Sequence, residues 1–129
     1  WSSNRKHYPT MKIAVTAQGA DMESAVDPRF GRAAYFLLVD SETGEFESHD
    51  NAQNLNAPQG AGIQAAQTVA RLGAEALLTG HVGPKAFATL SAANVAVFTG
   101  AAGTVKEAVD QFNNGKLERA AQSDVRGHW

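Results

Sequence analysis

A chain of 129 residues, 43% of them hydrophobic and with a formal charge of -2, has the length of one domain and enough apolar material for one core, and it offers no general attraction to nucleic acid. It contains no cysteine, which excludes disulfides and any iron–sulfur site held by protein thiolates. No apolar run is long enough to span a bilayer, so no membrane partner is expected.

Residues 1–10 are polar, mildly basic and without an apolar stretch, so they do not read as a secretory signal. They are expected to be a non-native or disordered leader, with Met11 the natural start and the cytoplasm the compartment. A short apolar strand follows over 11–16, then a long loop over 17–34 that contains Pro28. Residues 35–40 form a second apolar strand. Thr43-Gly44 marks a turn into a weakly alternating edge strand over 46–51. A loop rich in Asn and Gln covers 52–60. Ile63, Ala66, Val69 and Ala70 have helical spacing within 61–72, and Gly73 stands where a left-handed C-terminal cap belongs. A short buried strand covers 76–79, and Gly80-His81-Val82-Gly83 is a tight loop. Pro84 suits the first turn of the next helix, which carries Phe87 and Leu90 and ends near Asn94. Another buried strand covers 95–99, followed by the loop Gly100-Ala101-Ala102-Gly103. Thr104 and Glu107 form a capping box, and Val105, Ala108, Val109 and Phe112 share one helical face. Asn113-Asn114-Gly115 stops that helix. The predicted single domain spans 11–117, with an irregular tail over 118–129.

The order β-β-β-α-β-α-β-α dictates a topology. Two hairpin-like connections make the first three strands antiparallel, and right-handed helical crossovers make the later strands parallel to the first. The predicted fold is α/β: a ribonuclease-H-like three-layer α/β/α arrangement around a five-stranded mixed sheet of order 3-2-1-4-5. Such a sheet brings the loops over 17–34, 52–60, 80–83 and 100–103 to one edge, at the carboxyl ends of the strands, where ligands of open α/β sheets usually sit. Three helices begin there, each with unpaired amides and a partial positive charge. Arg29 and Arg32 lie on the first loop, His81 on the third, and Lys85 at the start of the second helix. Asp21, Glu23 and Asp27 offset some of that charge, and Asp27 can pair with Arg29 or Arg32. The expectation is an anion site built from Arg29, Arg32, Gly80, His81, Gly83, Lys85, Gly100, Gly103 and Thr104. His81 is also a candidate metal ligand. Met22 could offer a soft thioether, although a loop methionine has no need of a ligand. His49 reads as solvent-facing, His7 and His128 lie near the termini, and no histidine pair has the spacing of a zinc site on one helix.

Four motifs in this order resemble the dinitrogenase iron–molybdenum cofactor biosynthesis family: Asp27-Pro28-Arg29-Phe30-Gly31-Arg32-Ala33 before Tyr35-Phe36; Gly60-Ala61-Gly62-Ile63-Gln64-Ala65-Ala66; Thr79-Gly80-His81-Val82-Gly83-Pro84-Lys85-Ala86-Phe87; and Thr104-Val105-Lys106-Glu107-Ala108. The resemblance covers about residues 11–117. It implies this fold and a carrier of metal–sulfur cofactors or their precursors. Within the family, a cysteine-free chain of this length is similar to a member from sulfate-reducing bacteria, which implies a molybdenum–copper sulfide cluster bound without thiolates; the alternative is an iron–molybdenum cofactor precursor. Such a cluster is anionic and brings its own sulfides, so amides, cations and a sheltered edge suffice to hold it. A monomer that delivers its cluster to an unidentified protein partner is expected.

Two other classes compete. A nuclease on this fold needs carboxylates gathered on central strands to hold divalent metals, and the segments 11–16, 76–79 and 95–99 contain none; no nucleophile–base arrangement is evident, so the expectation is a protein that is not an enzyme. A phosphate- or nucleotide-binding regulatory domain could use the same helix N-termini, although no Walker-type loop is present.

Overall fold

The computed structural model describes residues 11–51 and 61–120. The expected leader over 1–10, the loop over 52–60 and residues 121–129 of the tail lie outside the described residues. The elements are β1 (Lys12–Ala17), β2 (Tyr35–Asp40), β3 (Phe46–Asp50), α1 (Ala61–Arg71), β4 (Ala76–Leu78), α2 (Pro84–Ala92), β5 (Ala96–Thr99), α3 (Val105–Asn113) and β6 (Glu118–Arg119).

The sheet order is β3-β2-β1-β4-β5-β6. The predicted five-stranded order is therefore present, extended by one short strand that the sequence pattern does not announce. β1 pairs antiparallel with β2, from Lys12 opposite Asp40 to Ala17 opposite Tyr35, and parallel with β4. β2 pairs antiparallel with β3, and β4 parallel with β5. β6 runs antiparallel to β5, with Phe98 opposite Arg119 and Thr99 opposite Glu118, and Ala120 N donates to Val97 O at 2.8 Å.

The near-continuous apolar runs of β1, β2 and β4 arise because these strands are covered on both faces. One face packs Ala14, Phe36, Leu38, Leu77 and Val97 against Ala65, Ala66 and Val69 of α1 and Ala86 and Leu90 of α2. The other packs Ile13, Val15, Leu37, Val39, Ala76 and Leu78 against Val105, Ala108 and Val109 of α3. Phe112 closes this second layer edge-on to Phe98, with ring centroids 4.9 Å apart. β3, at the sheet edge, is exposed along most of its length, as its weak alternation predicts.

The local stops and starts act as expected. Gly73 ends α1 with a φ of +83°. The capping box at α3 is complete: Glu107 N donates to Thr104 Oγ1 at 3.1 Å, and Thr104 N donates to Glu107 Oε1 at 2.8 Å. In the β2–β3 turn, Asp40 Oδ1 accepts from the amides of Glu42 at 2.9 Å and Thr43 at 3.0 Å, and these backbone donors hold its carboxyl below the usual carboxylate pKa, Thr43 contributing most.

Candidate functional site

β1, β4 and β5 are parallel, so their carboxyl ends share one edge of the sheet, and three connections meet there: residues 18–34, 80–83 and 100–104. The first divides into two lobes. Residues 18–26 fold back on themselves, with Gln18 N donating to Ala25 O at 2.9 Å, and lie over the start of α3. There Val105 N donates to Ser24 O and Lys106 N to Met22 O, each at 2.9 Å, while Val26 N donates to Gly103 O at 2.8 Å. Asp21 is occupied within this lobe, its Oδ1 accepting from Glu23 N at 3.0 Å and Ser24 Oγ at 3.1 Å.

The second lobe, residues 27–34, docks on the 80–83 connection. His81 N donates to Pro28 O at 2.8 Å, and Arg29 and His81 form an isolated parallel bridge. Gly80 permits this approach: a Cβ built on it would lie 2.7 Å from both Pro28 Cα and Pro28 O. Gly80 O accepts from Gly100 N, and Thr79 O from Ala101 N, each at 3.1 Å, which ties in the 100–104 connection.

Beneath the edge lies a small buried polar group. Thr16 and Thr79 are fully buried, and Asp27 is 4% exposed. Thr16 Oγ1 is 2.7 Å from Asp27 O and 2.9 Å from Thr79 Oγ1. With one proton available, Thr16 donates to the carbonyl and accepts from the Thr79 hydroxyl. Asp27 N donates to Thr16 O at 3.0 Å. Asp27 Oδ1 accepts from Arg29 N at 3.0 Å and lies 3.6 Å from Arg29 Nε. The carboxylate that could have paired with either arginine therefore has a direct contact with Arg29. Asn51, also buried, closes the far end of the loop by donating from Nδ2 to Ala33 O at 2.7 Å. From the sequence Asp27 is a charge offset and a pairing partner for Arg29 or Arg32, and no buried role is assigned to Thr16, Thr79 or Asn51. The available signal was the pair of threonines at the ends of two otherwise apolar central strands.

The expected site residues thus fall into two groups. Arg29, Gly80 and His81 are brought into direct backbone register, and Gly100 is hydrogen-bonded to Gly80. Gly83 is the N-cap of α2, which has no side-chain cap and no acidic residue in its first turn. Its ladder begins with Phe87 N donating to Gly83 O at 2.9 Å, so the amides of Lys85 and Ala86 precede it. Arg29, Arg32, His81 and Lys85 all belong to exposed residues. Gly103 and Thr104 belong to the second group. The expectation of open amides at all three helix starts needs correcting at α3: the amides of Thr104, Val105, Lys106 and Glu107 are all taken, by the capping box and by the carbonyls of Ser24 and Met22.

Among the described residues there is no group of three or more His, Cys, Asp or Glu side chains able to hold a metal ion. The donors at the edge are cations, an imidazole and backbone amides. This set suits an anion that carries its own sulfur or oxygen ligands, and it does not suit a bare divalent metal. Surface concavities among the described residues lie away from this edge. One of 530 Å³ is lined by Lys12, Asp40 and Phe46, and one of 310 Å³ by Phe87, Asn94 and Arg119. No helix among the described residues is long and apolar enough to cross a membrane.

Residues 11–115 match the model of the dinitrogenase iron-molybdenum cofactor family. The structure is similar to the apo form of the orange protein from Desulfovibrio gigas, with 45% identity and a TM-score of 0.87 over 92% of this chain and 100% of that one. A NifB-like protein of Thermotoga is 38% identical, with a TM-score of 0.73 over 84% of this chain and 92% of that one. An uncharacterized protein of Methanocaldococcus jannaschii is 29% identical over 84% of this chain and 91% of its own length. The match runs from β1 to the end of α3 and takes in both lobes of the first loop, the 80–83 connection and the capped helix: the chain belongs to the dinitrogenase iron-molybdenum cofactor family.

Proposed function

We propose that this protein is a non-enzymatic carrier or store for an anionic metal–sulfur cluster, held non-covalently at the carboxyl edge of the sheet, and that the cluster is a molybdenum–copper sulfide. The observation that carries the reading is the bridge between Arg29 and His81 beside the uncapped start of α2, in a chain without a cysteine. Arg29 and Arg32 would present planar guanidinium donors to sulfide, Lys85 a compact charge, and the first-turn amides of α2 the positive end of its dipole. His81 would donate a hydrogen bond or ligate copper. Gly80, Gly83 and Gly100 would keep the backbone close to the cargo. Gly103 and Thr104 would act one step back, holding the first loop in place. Membership of the family and the likeness to the orange protein support a cluster as the cargo.

A multiply charged cargo held by cations and amides binds more weakly as salt rises. Apoprotein titrated with tetrathiomolybdate and copper should acquire visible charge-transfer bands, with an affinity that falls between low and high salt. Changing Arg29 and Lys85 together to Ala should weaken uptake and flatten the salt dependence. Changing both to Glu should abolish uptake with the far-UV circular dichroism intact, because both residues are exposed and charges at exposed positions contribute little to stability. Binding that ignores salt and survives both Glu substitutions would overturn the reading. Inorganic phosphate or nucleotide binding at the same edge, without thiometallate uptake, would replace it with a regulatory domain.

A further inference from the structure

Asp27 is a buried carboxylate at this edge, and its charge opposes the proposed cargo. Its side chain is 5% exposed, whereas that of its neighbour Arg29 is 53% exposed. Burying a carboxylate is costly, and an apolar or neutral side chain would avoid that cost. We propose that Asp27 is a positioning residue that sets how firmly Arg29 holds an anion: it aligns Arg29 against His81 and at the same time competes with the anion for the guanidinium. The proposal rests on the anion site described above.

Two features of the geometry support this division of roles. Asp27 cannot move with the cargo. Its backbone amide and carbonyl are both tied to Thr16, and the Thr16 hydroxyl is in turn packed against that of Thr79, with both threonines fully buried. Arg29, by contrast, is held firmly only at its root. Its amide donates to Asp27 Oδ1 at 3.0 Å, but its Nε stands 3.6 Å from the same oxygen, beyond ordinary hydrogen-bond length. The ion pair is therefore loose at the guanidinium and tight at the backbone. An arriving anion can draw the guanidinium outward while the main chain stays in register with His81. On release, the fixed carboxylate recovers its partner. A carrier must give up its cargo, and a fixed competing anion limits affinity without loosening the loop.

Asp27→Asn separates the two roles. The amide oxygen still accepts from Arg29 N, while the competing charge is removed. Wild type, Asp27→Asn, Arg29→Gln and the double variant are each titrated with tetrathiomolybdate at low and high salt, with far-UV circular dichroism as the control for folding. Asp27→Asn should bind about three- to tenfold more tightly at low salt, the size expected for removing one partly screened charge, and its affinity should fall more steeply with salt. Most of that gain should disappear when Arg29 is already Gln, because the two changes act through one contact. A folded Asp27→Asn protein with unchanged or weaker binding overturns the proposal. A gain that persists undiminished in the Arg29→Gln background also overturns it, because Asp27 would then act on the anion directly. If Asp27→Asn does not fold, wild type decides the matter by NMR: saturation with tetrathiomolybdate should shift both the Asp27 carboxyl carbon and the Arg29 Nε signals, and two unmoved signals refute the idea. Absence of any uptake by wild type would instead overturn the anion site itself, and this proposal with it.

Discussion

Replacing Gly80 with alanine puts a methyl group 2.7 Å from Pro28 Cα and 2.7 Å from Pro28 O. Both atoms belong to backbone, so neither can swing aside as the end of a flexible side chain would. Restoring ordinary contact requires the 27–34 lobe and the 80–83 connection to separate by most of an ångström. His81 N to Pro28 O, now 2.8 Å, lies directly in that gap, and the Gly100 N to Gly80 O bond of 3.1 Å braces the other side. Overpacking of this kind costs roughly 1–3 kcal/mol, which in a domain of this size lowers the Tm by roughly 4–12 °C. Differential scanning calorimetry of Gly80→Ala against wild type measures it, and the same variant should take up tetrathiomolybdate and copper more weakly because Arg29 and His81 lose their register. A Tm within a degree or two of wild type, with an unaltered visible spectrum, would show that the two loops do not touch at Gly80 and would remove the basis for a joint Arg29–His81 site.

Three further outcomes follow from other parts of the structure. Thr104→Ala removes the cap of α3 and should cost about 1 kcal/mol; because the first-turn amides of that helix are already taken, a thermal melt should show the loss while the visible spectrum of the loaded protein stays the same. His81→Ala should change both the visible spectrum and the affinity of the loaded protein if the imidazole touches the cluster, and an unchanged spectrum would assign His81 to loop packing alone. Asp40 has its folded pKa lowered by the amides of Thr43 and Glu42, so the ionised form stabilises the turn above the ordinary carboxylate pKa; the stability advantage of wild type over Asp40→Asn should be present at neutral pH and vanish as the pH falls through the lowered folded value, as urea melts across the acid range would show.

Much of the fold was legible because its signals are local. The helical spacing in α1 and α3, the apolar runs of β1 and β2 and the Thr104–Glu107 box each lie within a dozen residues, and crossover handedness then orders the sheet. The same reasoning brought Arg29, Arg32, His81 and Lys85 to one edge, since loops after parallel strands must emerge together. β6 was not legible. Glu118 and Arg119 carry no strand pattern, and their pairing depends on the free edge of β5 being within reach of the chain leaving α3.

Tertiary structure alone decided which donors at that edge are engaged. Sequence placed Asp27 within reach of two arginines, and only the folded loop shows its Oδ1 beside Arg29. Sequence made Gly80 look like a turn residue, whereas its lack of a side chain serves contact with Pro28, more than fifty residues away. Sequence announced the capping box of α3 but left the amides of Val105 and Lys106 open, and the carbonyls of Ser24 and Met22 close them. The physical reason is the same in each case. Residue type and periodicity report which faces are apolar and where helices start, but a backbone carbonyl is identical in every residue, so where an irregular loop directs its carbonyls is set by long-range packing and has no signature in the chain.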